Sequence, residues 1–285
     1  MFSGAAAFVI AKFAMHAVDG MVFACIVSGW AALFCGVWAK IDGNIAPPSS
    51  EGRLRWLFAG HVIASVVGAG SLWCAIDNLD PAVVSIVSRV EIIISLILAA
   101  IFLRERFRPM EWFGAVVVIT GLVILKLAST GSLALVLESA HGRGFLFSLM
   151  AGLGYASSEV FAKSIAHTTS PPALAFYRNF FMMLLFGCWV AIRGGASMPE
   201  PRVWGIVAAA AVTGPGIARI LWFQALRLIP LSRAVLLAQT HPLWTALLAS
   251  FVLGTSLTAP QWGGAVVLLA GCVIVATGGA QRLAA

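Results

Sequence analysis

Two ionisable residues stand where apolar chain tolerates few. Glu91 lies in the run Val84-Ser-Ile-Val-Ser-Arg-Val-Glu-Ile-Ile-Ile-Ser95, and His241 in Leu237-Ala-Gln-Thr-His-Pro-Leu-Trp-Thr245. Helical steps of three and four put Ser88, Glu91 and Ser95 on one face. At an offset of 150 residues the same face reads Ala238, His241 and Thr245. A charge at the centre of a bilayer costs about 2.5–3.5 kcal/mol on insertion scales, so such residues face a protein interior or water. The chemistry open to Glu91 and His241 is binding of a polar solute or of a proton. The plainer alternative is that Glu91 pairs with an arginine and only fixes packing.

Arg89, Arg178, Arg219 and Arg233 are the available partners. Arg178 and Arg233 lie close to helix ends and are expected to snorkel to the interface, as are Lys12 and Lys163. Arg219 follows Gly214-Pro-Gly216, which should break or kink its helix. Broken helices free backbone groups beside binding sites, whereas a kink can also serve packing alone. Glu159, with Tyr155 one turn before it, is the other carboxylate in an apolar run. Its expected partner is Lys163, at the favourable i,i+4 spacing. Trp73 and Trp222 occupy matching positions 149 residues apart. They are candidates for the wall of the same space, against ordinary packing. Trp30, Trp38, Trp56, Trp112, Trp189, Trp204 and Trp262 lie near span ends and suit the interfacial belt.

The elements that position these residues follow from composition. The chain has 285 residues, 61% of them hydrophobic and 10% charged, with a mean hydropathy of +0.98. Soluble domains are about a quarter charged, and too few charges exist here to cover a soluble surface. Runs of about 20 apolar residues indicate membrane-spanning helices. Ten are expected, at about 1–17, 21–39, 56–76, 81–103, 111–127, 144–166, 172–192, 203–225, 231–253 and 260–278. Residues 128–143 form the natural boundary between two halves, 1–127 and 144–278, and 279–285 form a tail. The five cysteines are scattered through apolar runs without metal or disulfide spacing, so they read as reduced.

The halves repeat. Met110-Glu-Trp-Phe-Gly-Ala-Val-Val-Val returns as Pro260-Gln-Trp-Gly-Gly-Ala-Val-Val-Leu, and Trp38 matches Trp189. The basic turn Leu103-Arg-Glu-Arg-Phe-Arg-Pro returns uncharged, as Leu253-Gly-Thr-Ser-Leu-Thr-Ala-Pro. Five spans per half is an odd number, so the second half must be inverted relative to the first. Lysine and arginine crowd the even-numbered loops, which places both termini in the cytoplasm by the positive-inside rule. The net charge of +7 is thereby explained by topology, and no nucleic-acid partner is expected. Helix 6 begins some eight residues earlier than helix 1 can, so helix 1 looks truncated relative to its copy.

Together these residues resemble the EamA-type domain of the drug/metabolite transporter superfamily. They are Asp80-Pro-Ala-Val-Val, Leu103-Arg-Glu-Arg-Phe, Trp112-Phe-Gly114 and Gly121 in one half. In the other they are Ile229-Pro-Leu-Ser, His241-Pro-Leu-Trp-Thr, Leu253-Gly-Thr-Ser-Leu and Gln261-Trp-Gly-Gly264, with Phe176-Tyr-Arg-Asn in helix 7. The resemblance covers nearly the whole chain. It implies an all-α integral membrane protein of ten transmembrane helices in two inverted five-helix repeats. It further implies that helices 4 and 9 line a central cavity and that small metabolites are transported, often outward. The chain departs from the pattern at Val90-Glu-Ile, where helix 4 often carries proline, and at Thr255, where glutamate is usual.

The expected function is secondary transport by alternating access across a bacterial-type inner membrane. The sequence holds no GxxxxGK[ST], HExxH or GxSxG motif, so an ATP-driven pump, a metalloprotease and a serine hydrolase are not expected. No cofactor or metal is expected. The partners are the lipid bilayer, a small solute and protons. Scattered arginines favour an amino acid or similar zwitterion over a highly charged phosphate. An uncoupled facilitator is the alternative, and a lipid flippase or membrane enzyme stands further off. Nothing in the sequence sets the oligomeric state or the identity of the solute.

Overall fold

The computed structural model describes residues 3–6, 10, 19–46, 52–78, 84, 87–106, 108–130, 142–194, 200–253 and 258–280, and every regular element among them is helical. Residues 3–6 represent α1. Then come α2 (Gly20–Ile41), α3 (Gly52–Asn78), α4 (Val90–Phe102), α5 (Pro109–Thr130), α6 (Arg143–Ile165) and α7 (Pro171–Ile192). The eighth, α8, joins Pro201–Ala211, Val212–Ala218 and Arg219–Leu228; α9a is Leu231–Ala238, α9b is His241–Leu253, and α10 is Ala259–Ala280. Six of these helices are long and apolar enough to cross a membrane, and α4 and α5 contribute shorter apolar stretches. Most of α1, including Lys12, most of the boundary loop and the 254–257 turn lie outside the described residues.

Local sequence sets the helix ends. Asp19 caps α2 by accepting from Met21 N at 2.9 Å, and Pro171 and Pro201 open α7 and α8, where a missing N–H is harmless. Glu111 reaches back to Arg108 N at 2.8 Å, and its repeat partner Gln261 reaches back to Thr258 N at 2.7 Å. These are the return halves of two capping boxes, so the repeat keeps the helix start even though the turn before it has lost its charge. Gly43 and Gly194, after α2 and α7, have φ of +67° and +92°, the left-handed conformation that ends a helix most cheaply on glycine.

The α5–α10 crossing carries the inversion. A Cβ on Gly121 would clash with Leu268 N, and one on Gly271 would lie 2.6 Å from Val118 N. A Cβ on Gly114 would lie 2.7 Å from Val275 Cγ2, and one on Gly264 would lie 2.5 Å from Leu125 N. Each contact maps onto its reciprocal under the 150-residue offset, and each step forward along α5 meets a step back along α10. The helices therefore cross antiparallel about a pseudo-twofold axis, touching backbone to backbone through small residues. The α2–α7 pair repeats this self-pairing, α6 packs against α3 and α4, and α3 and α6 meet at Gly68 and Gly154. The outer surface is apolar, with Phe251, Val266, Val116 and Leu146 60% or more exposed. Water would penalise such a surface, whereas lipid does not.

Helices 4 and 9 are not the continuous spans expected. Each is interrupted within one residue of the same place, at Ser88-Arg89 and at Gln239-Thr240. The backbone there tightens to i→i−3 bonds, from Glu91 N to Ser88 O at 3.1 Å and from Gln239 N to Leu236 O at 3.1 Å. In helix 9 the cause is Pro242, which has no N–H to give Ala238 O. In helix 4 the neighbour is α6: a Cβ on Gly152 would lie 3.0 Å from Ser88 O and 3.1 Å from Glu91 N. Glu91 thus stands in the first turn of α4 and His241 opens α9b, while Ser88 sits in the turn rather than on the helical face it was expected to share.

Candidate functional site: a polar core between the repeats

The interior of the bundle holds a polar network built from α3, α6, α7 and α8. At its centre is Glu159, 6% exposed. Arg219 NH1 donates to its Oε1 at 2.8 Å, and the Trp222 indole N–H donates to its Oε2. This corrects the expected Glu159–Lys163 pair. Sequence proximity on α6 favoured lysine, but α8 packs its Arg219 and Trp222 against the Glu159 face. Lys163 Nζ instead donates to the carbonyls of Leu226 and Ile229, where a cation suits the carboxyl end of α8.

The expected kink at Gly214-Pro-Gly216 is a π-helical stretch, Val212–Ala218, within an otherwise unbroken α8. Pro215 withdraws an N–H from the ladder, and two carbonyls of the stretch accept from other helices. Ser3 donates to Thr213 O, and Asn179 Nδ2 donates to Pro215 O at 3.1 Å. Such π bulges recur at functional sites.

Arg178 does not snorkel, as its place near a helix end suggested. It is 4% exposed, about 10 Å along α7 at 1.5 Å per residue. Its Nε donates to Ser65 Oγ at 3.1 Å and its NH1 to Asn179 Oδ1 at 3.3 Å. Ser65 Oγ lies 2.7 Å from Ser158 Oγ, and the fully buried His61 donates from Nδ1 to Ser158 O at 2.9 Å. That bond fixes the tautomer and leaves His61 Nε2 buried without a partner among the described residues; the ring packs edge-on against Phe223. His61, Ser65, Ser158 and Asn179 were not singled out from the sequence. The available signal was the i,i+4 spacing of His61 and Ser65 within an otherwise apolar run.

Among the described residues no cation lies within ion-pair distance of Glu91; the two ion pairs are Arg219–Glu159 and Arg233–Glu111. Arg89, Glu159 and Arg219 are the charges within electrostatic reach of Glu91. The plain alternative, a packing salt bridge, is therefore not realised at Glu91. Ser95 is buried, its hydroxyl unpartnered among the described residues. His241 is half-buried, and a Cβ on Gly4 would lie 3.2 Å from its Nε2, which puts α1 beside it. Thr245 donates back to His241 O at 3.0 Å. Tyr155 stands against Gly68. Trp73 packs edge-on against Phe23 and against Gly20 at the start of α2. Its environment thus differs from that of its repeat partner Trp222, which binds Glu159.

One face of the bundle is tied shut across the repeats. Glu105, in the basic turn, accepts from Leu231 N at 2.7 Å, Ser232 N at 3.0 Å and Ser232 Oγ at 2.6 Å. It caps α9a from the other repeat, a role the sequence reading did not give that turn. Arg233, also expected to snorkel, pairs with Glu111 at 2.5 Å. Within the second repeat Arg227 donates to Ala166 O at 2.6 Å and Thr169 O at 2.7 Å, and across the repeats Ser170 donates to Asn44 O at 2.8 Å. A cavity of about 360 Å³ remains beside this latch, lined by residues including Arg104, Glu105, Ser232 and Arg233. Among the described residues no cluster of histidine, cysteine, aspartate or glutamate could hold a metal.

Comparison with known proteins agrees with this architecture. No curated protein matches the chain. A solved structure described only as a crystal structure of a protein has 15% identity over 96% of this chain and 92% of its own, with a TM-score of 0.79. At that identity it supports the fold alone. The family of EamA-like transporters matches residues 1–127 and 142–277, one match per repeat. The chain therefore belongs to the EamA-like transporter family, as a multi-pass membrane transporter of small molecules.

Proposed function

We propose that this transporter moves a small zwitterion, an amino acid or a close relative, by alternating access between its two repeats. The site comprises Glu91 and His241 at the interrupted helices, with Ser88, Ser95 and Thr245 beside them and Tyr155, Glu159, Arg219, Trp73 and Trp222 around the polar core. The observation that carries this reading is Glu91: a carboxylate inside a transmembrane bundle, at a helix break, without a cation in ion-pair range among the described residues. Such a group is costly to keep and marks a solute or proton path. Discontinuous helices at matching positions of inverted repeats are where transporters place their sites. We further assign export, proton coupling through Glu91, an inner-membrane location with both termini cytoplasmic, and repeat boundaries at 1–127 and 144–278.

A thermal-shift screen of the purified protein against metabolite pools tests the substrate class, because a ligand of the folded state raises its apparent stability. At 100 times Kd the gain is about 2.7 kcal/mol. Amino acids should raise Tm and nucleotides should not. Stabilisation by nucleotides or sugar phosphates alone would overturn the reading.

A further inference from the structure

Arg178 is buried and Glu91 half-buried; they are charges of opposite sign, and among the described residues neither has an ionic partner within 4 Å. Each other carboxylate near the core is spent. Glu159 binds Arg219, Glu111 binds Arg233, and Glu105 caps α9a. Arg178 is held by a neutral hydroxyl and a neutral amide, which fix the guanidinium without neutralising it. Keeping an uncompensated guanidinium in a bundle interior is expensive, and a purely structural donor there has no need of charge. On α6, Gly152 lies against the backbone of Glu91, Ser158 meets the Ser65 hydroxyl that holds Arg178, and Tyr155 stands between them, so both charges are seated along about 9 Å of one helix. The charge also breaks the pseudo-symmetry: at an offset of 151, the offset of Trp38 and Trp189, the position matching Arg178 is Val27.

We propose that Arg178 recognises the carboxylate of the substrate and that Glu91 faces the ammonium end of the same molecule across Tyr155. Arg219 is not the carboxylate ligand, because Glu159 already occupies it. Asn179 and Ser65 position the guanidinium; Asn179 also ties it to the π turn of α8 through Pro215 O. The solute is thereby oriented, one pole toward α7 and the other toward the break in helix 4. A bidentate guanidinium–carboxylate contact supplies geometric specificity as well as charge.

This assignment rests on the zwitterion reading for its probes, and the experiment separates the two. The purified protein is titrated with each of the twenty L-amino acids, with the amide of each (ammonium kept, carboxylate removed), and with the N-acetyl derivative of each (carboxylate kept, ammonium removed). Simple aliphatic carboxylates form a control series. In the wild type, at least one amino acid should bind tenfold or more tighter than its amide, on the order of a lost charged hydrogen bond. Arg178→Met should abolish that acid-over-amide preference, and Arg178→Lys should restore part of it. Glu91→Gln should abolish the preference for the free over the N-acetylated amine while leaving acid over amide intact. A structural role for Arg178 would lower Tm without altering either ratio. Should Arg178→Met fail to fold, Ser65→Ala and Asn179→Ala release the guanidinium and should weaken the same preference. If no amino acid binds but carboxylates without an ammonium do so through Arg178, the amino-acid reading and the role of Glu91 fall and the role of Arg178 stands. An amide that binds as well as its acid, an acid preference that survives Arg178→Met, or no carboxylate binding at all overturns it.

Discussion

Removing the carboxylate of Glu105 should open one face of the bundle. Glu105 makes three hydrogen bonds, at 2.7, 3.0 and 2.6 Å, to the start of α9a in the opposite repeat. A hydrogen bond to a charged group contributes about 1.5–3 kcal/mol net, and a carboxylate at a helix N-terminus adds about 0.3–1 kcal/mol. Glu105 is half-exposed, and water replaces part of what is lost, so Glu105→Ala should cost about 2–3 kcal/mol of the closed state. At about 1.4 kcal/mol per decade, the ratio of open to closed rises roughly 30- to 150-fold. Glu105→Gln keeps one acceptor oxygen and should cost about 1 kcal/mol. The assay is maleimide labelling of Ala234→Cys, a position 2% exposed in α9a, in a chain whose five native cysteines are replaced by alanine. Labelling should accelerate by the same factor. An unchanged rate in Glu105→Ala would show that the carboxylate does not hold this face shut.

Three further outcomes follow from the packing. Gly121→Ala and Gly271→Ala each drive a methyl into backbone of the opposing helix, and each should cost about 1–3 kcal/mol in a detergent denaturation series. Gly263→Ala meets nothing within 4 Å and should be neutral or stabilising by up to about 1 kcal/mol; equal losses at all three positions would contradict the crossing. Glu159→Gln and Arg219→Met, whose parent side chains are 8% and 23% exposed, should be non-additive in a double-mutant cycle by about 1–3 kcal/mol. Additivity there would mean that the ion pair contributes nothing.

The fold was largely legible because its signals are local or periodic. Apolar runs set the spans, and an odd number of them per half required inversion. The site was legible only where one helix carries the signal. Glu91 and His241 stand out as ionisable residues in apolar runs. The partner of Glu159 did not, because i,i+4 spacing offers Lys163 whereas helix packing delivers Arg219 and Trp222. Arg178 was misplaced for a related reason: distance from a helix end says nothing about whether the end itself is buried. The break in helix 9 has a cause in the sequence at Pro242. The break in helix 4 has its contact on another helix, at Gly152, and the local sequence gives no sign of it.

Flux in proteoliposomes is the most direct test of the transport reading. A labelled amino acid that stabilises the folded protein is followed with and without an imposed pH gradient, in the wild type and in Glu91→Gln. The prediction is gradient-driven accumulation by the wild type and its loss in Glu91→Gln, which keeps the size of the side chain but removes the charge. Accumulation by Glu91→Gln equal to that of the wild type, or no response of the wild type to the gradient, would contradict a coupled role for Glu91.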